Sequence, residues 1–360
     1  MAITNYQIEM LNVGDADAFI VYYLTDDGRK HLVLIDAGRY GDGEKVLNHL
    51  NSYYKDVPVE LAIVTHPDDD HYGGFVYMLE QIKQKANNAV PIHRFWINDP
   101  RKHISADDVE EEIQRKTLEK RLADIYSVNK SNSLELIELL RIPHKEVFAQ
   151  TVFTDVILRL GKHERKEECE HSNQIGFTIL GPTKEYFEAQ CQAFRYEHVH
   201  VQAEDEENDM LDERTFSTST RCLSRVLDDA DDDSSNHNRS SIMVLFEPGD
   251  GSKSLFTGDA SVDSFENMDD SHKNKCRNVA WLKVPHHGSK HNLNTKWINH
   301  FHPDWAYVST FKRGKFLNLC TVNALKNIGS RVVSTHNNKD FAYIVHGDIL
   351  NRKLGAAAEC

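Results

Sequence analysis

The chain has 360 residues, with 42 Lys+Arg against 56 Asp+Glu for a net charge of −14 at pH 7; 40% of residues are hydrophobic and 27% charged. That composition is globular and excludes a disordered or membrane-embedded chain. No run approaches the ~18 apolar residues of a membrane span, and Met1 to Glu9 show no basic start leading into an apolar stretch, so no membrane association and no secretion signal are expected. The six cysteines (Cys169, Cys191, Cys222, Cys276, Cys320 and Cys360) form no CxxC pair. This argues against a disulfide scaffold or a thiolate zinc site and for a reducing cytoplasm.

In chain order, Tyr6–Leu11, Ala18–Leu24 and His31–Ile35 read as short strands separated by Gly/Asp turns. Glu44–Tyr53 has helical spacing, Leu61–Val64 is a buried strand, Phe75–Lys85 an amphipathic helix and His93–Ile97 a strand. From Ser105 to Arg141 the pattern turns to charged helix, acidic at its start and basic further on, as suits the helix dipole. Strand and helix resume at Phe177–Leu180 and Lys184–Phe194. The stretch from Glu197 to His237 is polar and patternless. Between Glu204 and Asp233 it holds 12 acidic residues against Arg214, Arg221 and Arg225, a charge of −9. Strands then follow at Ser241–Phe246, Lys253–Phe256, Val279–Val284, Trp305–Val308 and Arg331–Ser334, with helices at Leu293–His300 and Thr321–Ile328. This alternation is that of an α/β fold.

The feature that carries chemistry is Thr65-His66-Pro67-Asp68-Asp69-Asp70-His71-Tyr72-Gly73-Gly74, directly after the strand Leu61–Val64. In an extended segment alternate residues share a face, so His66, Asp68 and Asp70 can converge while His71 turns to a neighbouring point. Mixed imidazole and carboxylate donors suit Zn²⁺, Mn²⁺ or Fe²⁺, and Gly73-Gly74 lets the following helix approach closely. Three more strands end in a potential ligand: Leu34-Ile35-Asp36-Ala37-Gly38, Leu255-Phe256-Thr257-Gly258-Asp259, and Leu282-Lys283-Val284-Pro285-His286-His287-Gly288-Ser289. Singly each reads as turn chemistry. Four such strand ends in one chain are not explained by turns.

These residues resemble the metallo-β-lactamase fold family, whose core motif is His-x-His-x-Asp-His after a strand, and most closely the hydrolase domain of ComEC-type competence proteins. The matching segments run from Asn12-Val13-Gly14-Asp15-Ala16-Asp17-Ala18 through Leu180-Gly181-Pro182-Thr183 and Asn238-Arg239-Ser240-Ser241 to Pro285–Ser289. The resemblance implies a four-layer αββα sandwich forming one domain over residues 1–360, with a helical insertion at about 98–170 and an acidic one at about 195–236. It further implies a dinuclear centre in which His66 and Asp68 hold one metal and Asp70 and His71 the other. Asp259 would bridge and His286, nearer the strand end than His287, would complete the second site. Asp36 would orient the ligand loop from beneath, with Asn238 in a supporting place. Asp68 stands where the wider family has His, and the third-motif His is absent unless His237 serves. Fewer imidazoles shift the preference from Zn²⁺ toward Mn²⁺ or Mg²⁺, and the activity from β-lactamase toward phosphodiesterase.

Two metals lower the pKa of a shared water and clamp attacking and leaving oxygens, which favours phosphodiester hydrolysis. Asp70 or Asp259 could take the water's proton, and His287 or Lys290 could protonate the leaving oxygen or hold a phosphate. Residues 272–338 carry eleven Lys and Arg and one acid, Asp304, for +10, which leaves −24 on the remainder. This basic segment includes Lys283, Lys290, Lys312, Arg313 and Lys315, the last three interleaved with Phe311 and Phe316, as suits a nucleic-acid backbone. The expectation is a cytoplasmic, metal-dependent nuclease acting on DNA, serving genome defence and met by a protein partner through its insertions. A hydrolase of small phosphodiesters, such as cyclic nucleotides or phosphorylcholine esters, and a non-catalytic metal-binding module are the alternatives.

Overall fold

The computed structural model describes residues 1–98, 148–153, 157–160, 174–193, 226–310, 317–335, 340–347, 349–350 and 358–359. The charged helix expected over 105–141 and the acidic stretch up to residue 225 lie outside them.

Two sheets face each other. The first runs β14-β1-β2-β3-β4-β5-β6-β7. Its strands are β1 (Ile3–Leu11), β2 (Phe19–Thr25), β3 (Lys30–Ile35), β4 (Leu61–Ile63), β5 (Arg94–Trp96), β6 (Phe148–Val152), β7 (Ile157–Leu160) and β14 (Ala342–His346). The second runs β15-β13-β12-β11-β10-β9-β8. It is built from β8 (Phe177–Gly181), β9 (Met243–Phe246), β10 (Ser254–Phe256), β11 (Trp281–Lys283), β12 (Trp305–Val308), β13 (Arg331–Ser334) and β15 (Ala358–Glu359).

The alternation of strand side chains explains the layering. In β2 and β3, Phe19, Val21, Tyr23, Val33 and Ile35 point into the space between the sheets. There they meet Phe246, Phe256, Trp281 and Tyr307 of the second sheet. Ile20, Tyr22, Leu32 and Leu34 point the other way, toward α1 (Gly43–Tyr53) and α2 (Asp69–Lys83). On the far side, Leu245, Leu255, Leu282, Ala306 and Val332 pack on α5 (Val262–Glu266), α7 (Thr295–Phe301) and α8 (Leu319–Asn327) through Phe265, Trp297, Phe301 and Leu325. The remaining helices are α3 (Lys184–Ala193), α4 (Asn236–Arg239) and α6 (Asp270–Lys275). The arrangement is the expected α/β sandwich of two sheets between helices.

Three elements differ from the sequence reading. Helix α2 begins at Asp69 rather than Phe75, so Asp68 is the extended residue that precedes it, and Asp70 and His71 lie in a first helical turn. Carboxylates favour such a turn because they oppose the positive end of the helix dipole. Strands β6 and β7 fall inside the stretch read as a helical insertion and extend the first sheet beyond β5. Strand β14 returns from the C-terminal region to pair antiparallel with β1, a long-range contact without a local sequence signal.

Strands β3 and β4 are parallel in the first sheet, and β10, β11, β12 and β13 in the second. Their C-terminal ends open toward the same place, which brings the four singled-out strand ends together.

Candidate metal centre

Asp259 leaves the end of β10 through Gly258, and its Oδ2 is the focus of the site. His71 Nε2 lies 3.4 Å from it, His287 Nε2 3.9 Å and His66 Nε2 4.0 Å. Each ring is held from behind by the other nitrogen. His66 Nδ1 is 3.1 Å from the Thr65 hydroxyl, His71 Nδ1 donates to Asp36 Oδ2 at 2.8 Å, and His287 Nδ1 donates to the Ser309 carbonyl at 2.9 Å. An imidazole whose Nδ1 carries the bonded proton presents a lone pair at Nε2, the form that binds metal. All three rings are buried, and Nε2 of His66 and of His71 has no hydrogen-bond partner among the described residues. Burying such nitrogens without a partner is costly, so this donor set fits divalent cations. Donor atoms of His66, His71 and Asp259 lie within 4.8 Å of one another, as do those of Asp70, His71 and His287.

Two carboxylates flank the ring of imidazoles. Asp68 Oδ2 is 3.5 Å from His66 Nε2 and Asp70 Oδ2 is 3.3 Å from His287 Nε2. Asp68 Oδ1 also accepts from His237 Nδ1 at 2.8 Å. Burial pushes both carboxyls up, but the neighbouring imidazoles outweigh it. His237 and His66 hold Asp68 well below the usual range, and His71 and His287 bring Asp70 down to about 2. Burial likewise opposes ionisation of Asp259, and Lys283, His71 and His287 overcome it. His71 moves in the opposite sense: burial lowers it, and the charges of Asp259, Asp36 and Asp70 raise it well above the ordinary histidine value.

Close packing sets this geometry. A Cβ on Gly74 would stand 2.0 Å from the Ala37 carbonyl oxygen, so α2 reaches the Asp36 loop only because glycine is there. Asp36, at φ +54°, accepts from Thr65 N at 2.9 Å, Thr65 Oγ1 at 2.8 Å and His71 Nδ1. It therefore ties β3, β4 and α2 together beneath the imidazoles.

The structure brings most of the expected residues together, and His286 and Lys283 take other places than those read for them. His286 is turned away: its Nδ1 lies 3.2 Å from Asp233 Oδ2 and 3.1 Å from Asn292 Oδ1, and His287 takes the position facing Asp70 and Asp259. Positive φ at both histidines, +44° and +51°, twists the loop so that the second ring, not the first, points inward. Burial lowers His286, but the bond to Asp233 wins and raises it to about 9. Asn238 donates to Asp233 Oδ2 at 2.7 Å, so it supports the His286 side rather than the cluster. Lys283, read as a substrate ligand, is 1% exposed. Its Nζ contacts Asp17, Asp259 Oδ1 at 3.0 Å and the Gly258 carbonyl at 2.7 Å, which occupies all three N–H groups. Lys290 is 9% exposed. Lys312, Arg313 and Lys315 lie outside the described residues.

The +10 segment is also divided by the topology. Arg277 and Arg331 precede or open β11 and β13, and Lys275 ends α6, all at the strand ends opposite the cluster. Arg331 sits over the Trp305 ring there, 4.2 Å from its centre.

Sequence reasoning left Asp17 and Arg39 without a role. Asp17, 1% exposed on the β1–β2 connection, accepts from Ser309 Oγ and Lys283 Nζ and lies 3.8 Å from His71 Nδ1 and 3.7 Å from His287 Nδ1. Its signal was the Gly14-Asp15-Ala16-Asp17 run, two acids in a short turn between apolar strands. Arg39, 45% exposed, stands at the rim with NH2 3.6 Å from Asp70 Oδ2. The end of the acidic stretch is docked on the other rim: Asp233 accepts from Asn292 at 2.9 Å, and Asp228 accepts from Thr295 N at 2.9 Å at the start of α7.

Among known proteins, residues 15–149 match the family described as "Metallo-beta-lactamase superfamily". No curated protein sequence matches the chain. Among solved structures, the crystal structure of a long form RNase Z from yeast is similar over 98% of this chain and 40% of that one, at 11% identity and a TM-score of 0.36. This chain thus spans less than half the length of that protein. The matched residues include Asp36 and the His66–His71 run, and the α/β fold of two sheets and helices is consistent with that family.

Proposed function

We propose that this chain is a hydrolase of phosphodiesters that uses two divalent cations, and that its substrate is nucleic acid, DNA in particular. The observation that carries the reading is the ring of three imidazoles, each pinned at Nδ1, around Oδ2 of Asp259. His66, Asp68 and Asp259 would hold one cation and Asp70, His71, His287 and Asp259 share the other. Bound there, Mn²⁺ or Zn²⁺ would activate water and neutralise charge on the phosphoryl oxygens.

The chain's own groups supply the rest. Asp259 has Oδ1 committed to Lys283 and to the His286 amide at 3.2 Å, which leaves Asp70 as the carboxylate placed to receive a proton from the attacking water. Arg39 at the rim beside Asp70 can take a non-bridging phosphate oxygen. His237, hydrogen-bonded to Asp68, orients that carboxylate. A polymeric substrate is supported by the composition of residues 311–316, which hold Lys312, Arg313 and Lys315 between Phe311 and Phe316. The ComEC-like reading, a single domain with insertions, a protein partner and a place in genome defence belong to the same proposal.

Purified protein, stripped and reloaded with Mn²⁺ or Zn²⁺, should cleave plasmid or single-stranded DNA, and Asp70→Ala and His71→Ala should abolish this. Turnover of bis-p-nitrophenyl phosphate without DNA cleavage would move the assignment to small phosphodiesters. No turnover with any metal would overturn it.

A further inference from the structure

Lys283 is a charged side chain at the bottom of the site, on β11 of the second sheet. It joins Asp17 from the first sheet to Asp259 from the end of β10 and is 1% exposed. Removing an ammonium and two carboxylates from water costs several kcal/mol per ion before any attraction is counted. Apolar groups of the same volume would serve stability as well or better, so stability alone does not account for a lysine here.

Its geometry does. The two oxygens of Asp259 are used differently: Oδ1 receives Lys283 Nζ at 3.0 Å and the His286 amide at 3.2 Å, while Oδ2 faces His66, His71 and His287. The Gly258 carbonyl, one residue before, is held by the same ammonium at 2.7 Å. The Thr257 hydroxyl completes the link by donating to the Lys283 carbonyl at 2.9 Å. The turn that carries Asp259 is thus fixed by one cation at two successive residues. Asp17, the ammonium's other partner, also accepts from Ser309 Oγ, and the Ser309 carbonyl holds His287.

We propose that Lys283 is a positioning residue of the metal centre, its buried ammonium holding Oδ1 of Asp259 so that Oδ2 stays turned toward His66, His71 and His287, where cations would be held. The inference rests on the metal-dependent reading above. Without Lys283, Asp259 can rotate and the cations lose a shared ligand of fixed direction. Outer partners of this kind are worth ~10–100-fold in metal affinity.

The test is titration of the metal-free protein with Mn²⁺ and with Zn²⁺ by calorimetry, alongside thermal unfolding in EDTA. Lys283→Met should bind metal ~10–100-fold more weakly, and its phosphodiesterase activity should recover as Mn²⁺ is raised. A purely structural lysine would lower stability without that recovery. If Lys283→Met alone does not fold, Asp17→Asn/Lys283→Met removes both buried charges and is measured instead, with the same loss of affinity expected. A folded variant that binds Mn²⁺ as tightly as wild type overturns the inference while leaving the metal centre in place. Wild-type protein that binds neither metal overturns both.

Discussion

Asp36→Asn is the most informative single substitution, because it replaces one carboxylate oxygen by NH₂ at almost no change in volume. Asp36 Oδ1 accepts from Thr65 N at 2.9 Å, and Oδ2 accepts from Thr65 Oγ1 and His71 Nδ1, both at 2.8 Å. In the amide, the oxygen can keep the Thr65 amide, and the new NH₂ then meets a ring nitrogen that also carries a proton. The Thr65 hydroxyl can turn to accept; His71 can do so only by moving its proton to Nε2. That fixes N–H on the nitrogen that would have to offer a metal its lone pair, 3.4 Å from Asp259. In the metal-free protein an N–H at this position meets the Asp259 carboxylate with or without the substitution, so the cost is confined to weaker bonds at Asp36, about 1–2 kcal/mol. Metal binding suffers more, by ~10–100-fold, or about 1.4–2.7 kcal/mol. Urea unfolding with and without Mn²⁺ reads both quantities, since a ligand stabilises the native state according to its affinity. A variant whose metal-induced stabilisation equals that of wild type would refute the tautomer argument.

Two further outcomes follow from the geometry. Gly74→Ala places a methyl 2.0 Å from the Ala37 carbonyl and should cost at least about 2–3 kcal/mol in urea unfolding, whereas Gly41→Ala, with open space around it, should be near neutral. In the metal-free protein, His286 titrates at about 9 against an ordinary 6.5, so the folded state holds its proton more tightly than the unfolded one. The resulting stability, up to about 3 kcal/mol, is fully present below pH 6.5 and is lost as pH rises through 9. Asp233→Asn should flatten that limb in EDTA, and an unchanged slope would show that Asp233 is not its source.

Much of this was legible in the sequence because the site is local. Strand ends such as Ile35-Asp36 and Phe256-Thr257-Gly258-Asp259 advertise themselves as apolar runs that stop at an acid, and His66 to His71 are contiguous. The choice between His286 and His287 was not legible, since it depends on two positive-φ residues that turn one ring in and the other out. Lys283 looked like a surface cation because its partners, Asp17 and Asp259, are distant in sequence and meet only across the two sheets. The charges of the basic segment are separated for the same reason. Alternate strands and connections carry its charges to opposite ends of the second sheet, so Arg277 and Arg331 cannot serve the site their neighbours approach.

The most direct test of the central claim is anomalous scattering from crystals of the protein soaked in Mn²⁺. Two peaks are expected, one on either side of Asp259 Oδ2, the first against His66 and Asp68 and the second against Asp70 and His287. Crystals that diffract well after soaking but show no anomalous density among these side chains would contradict it.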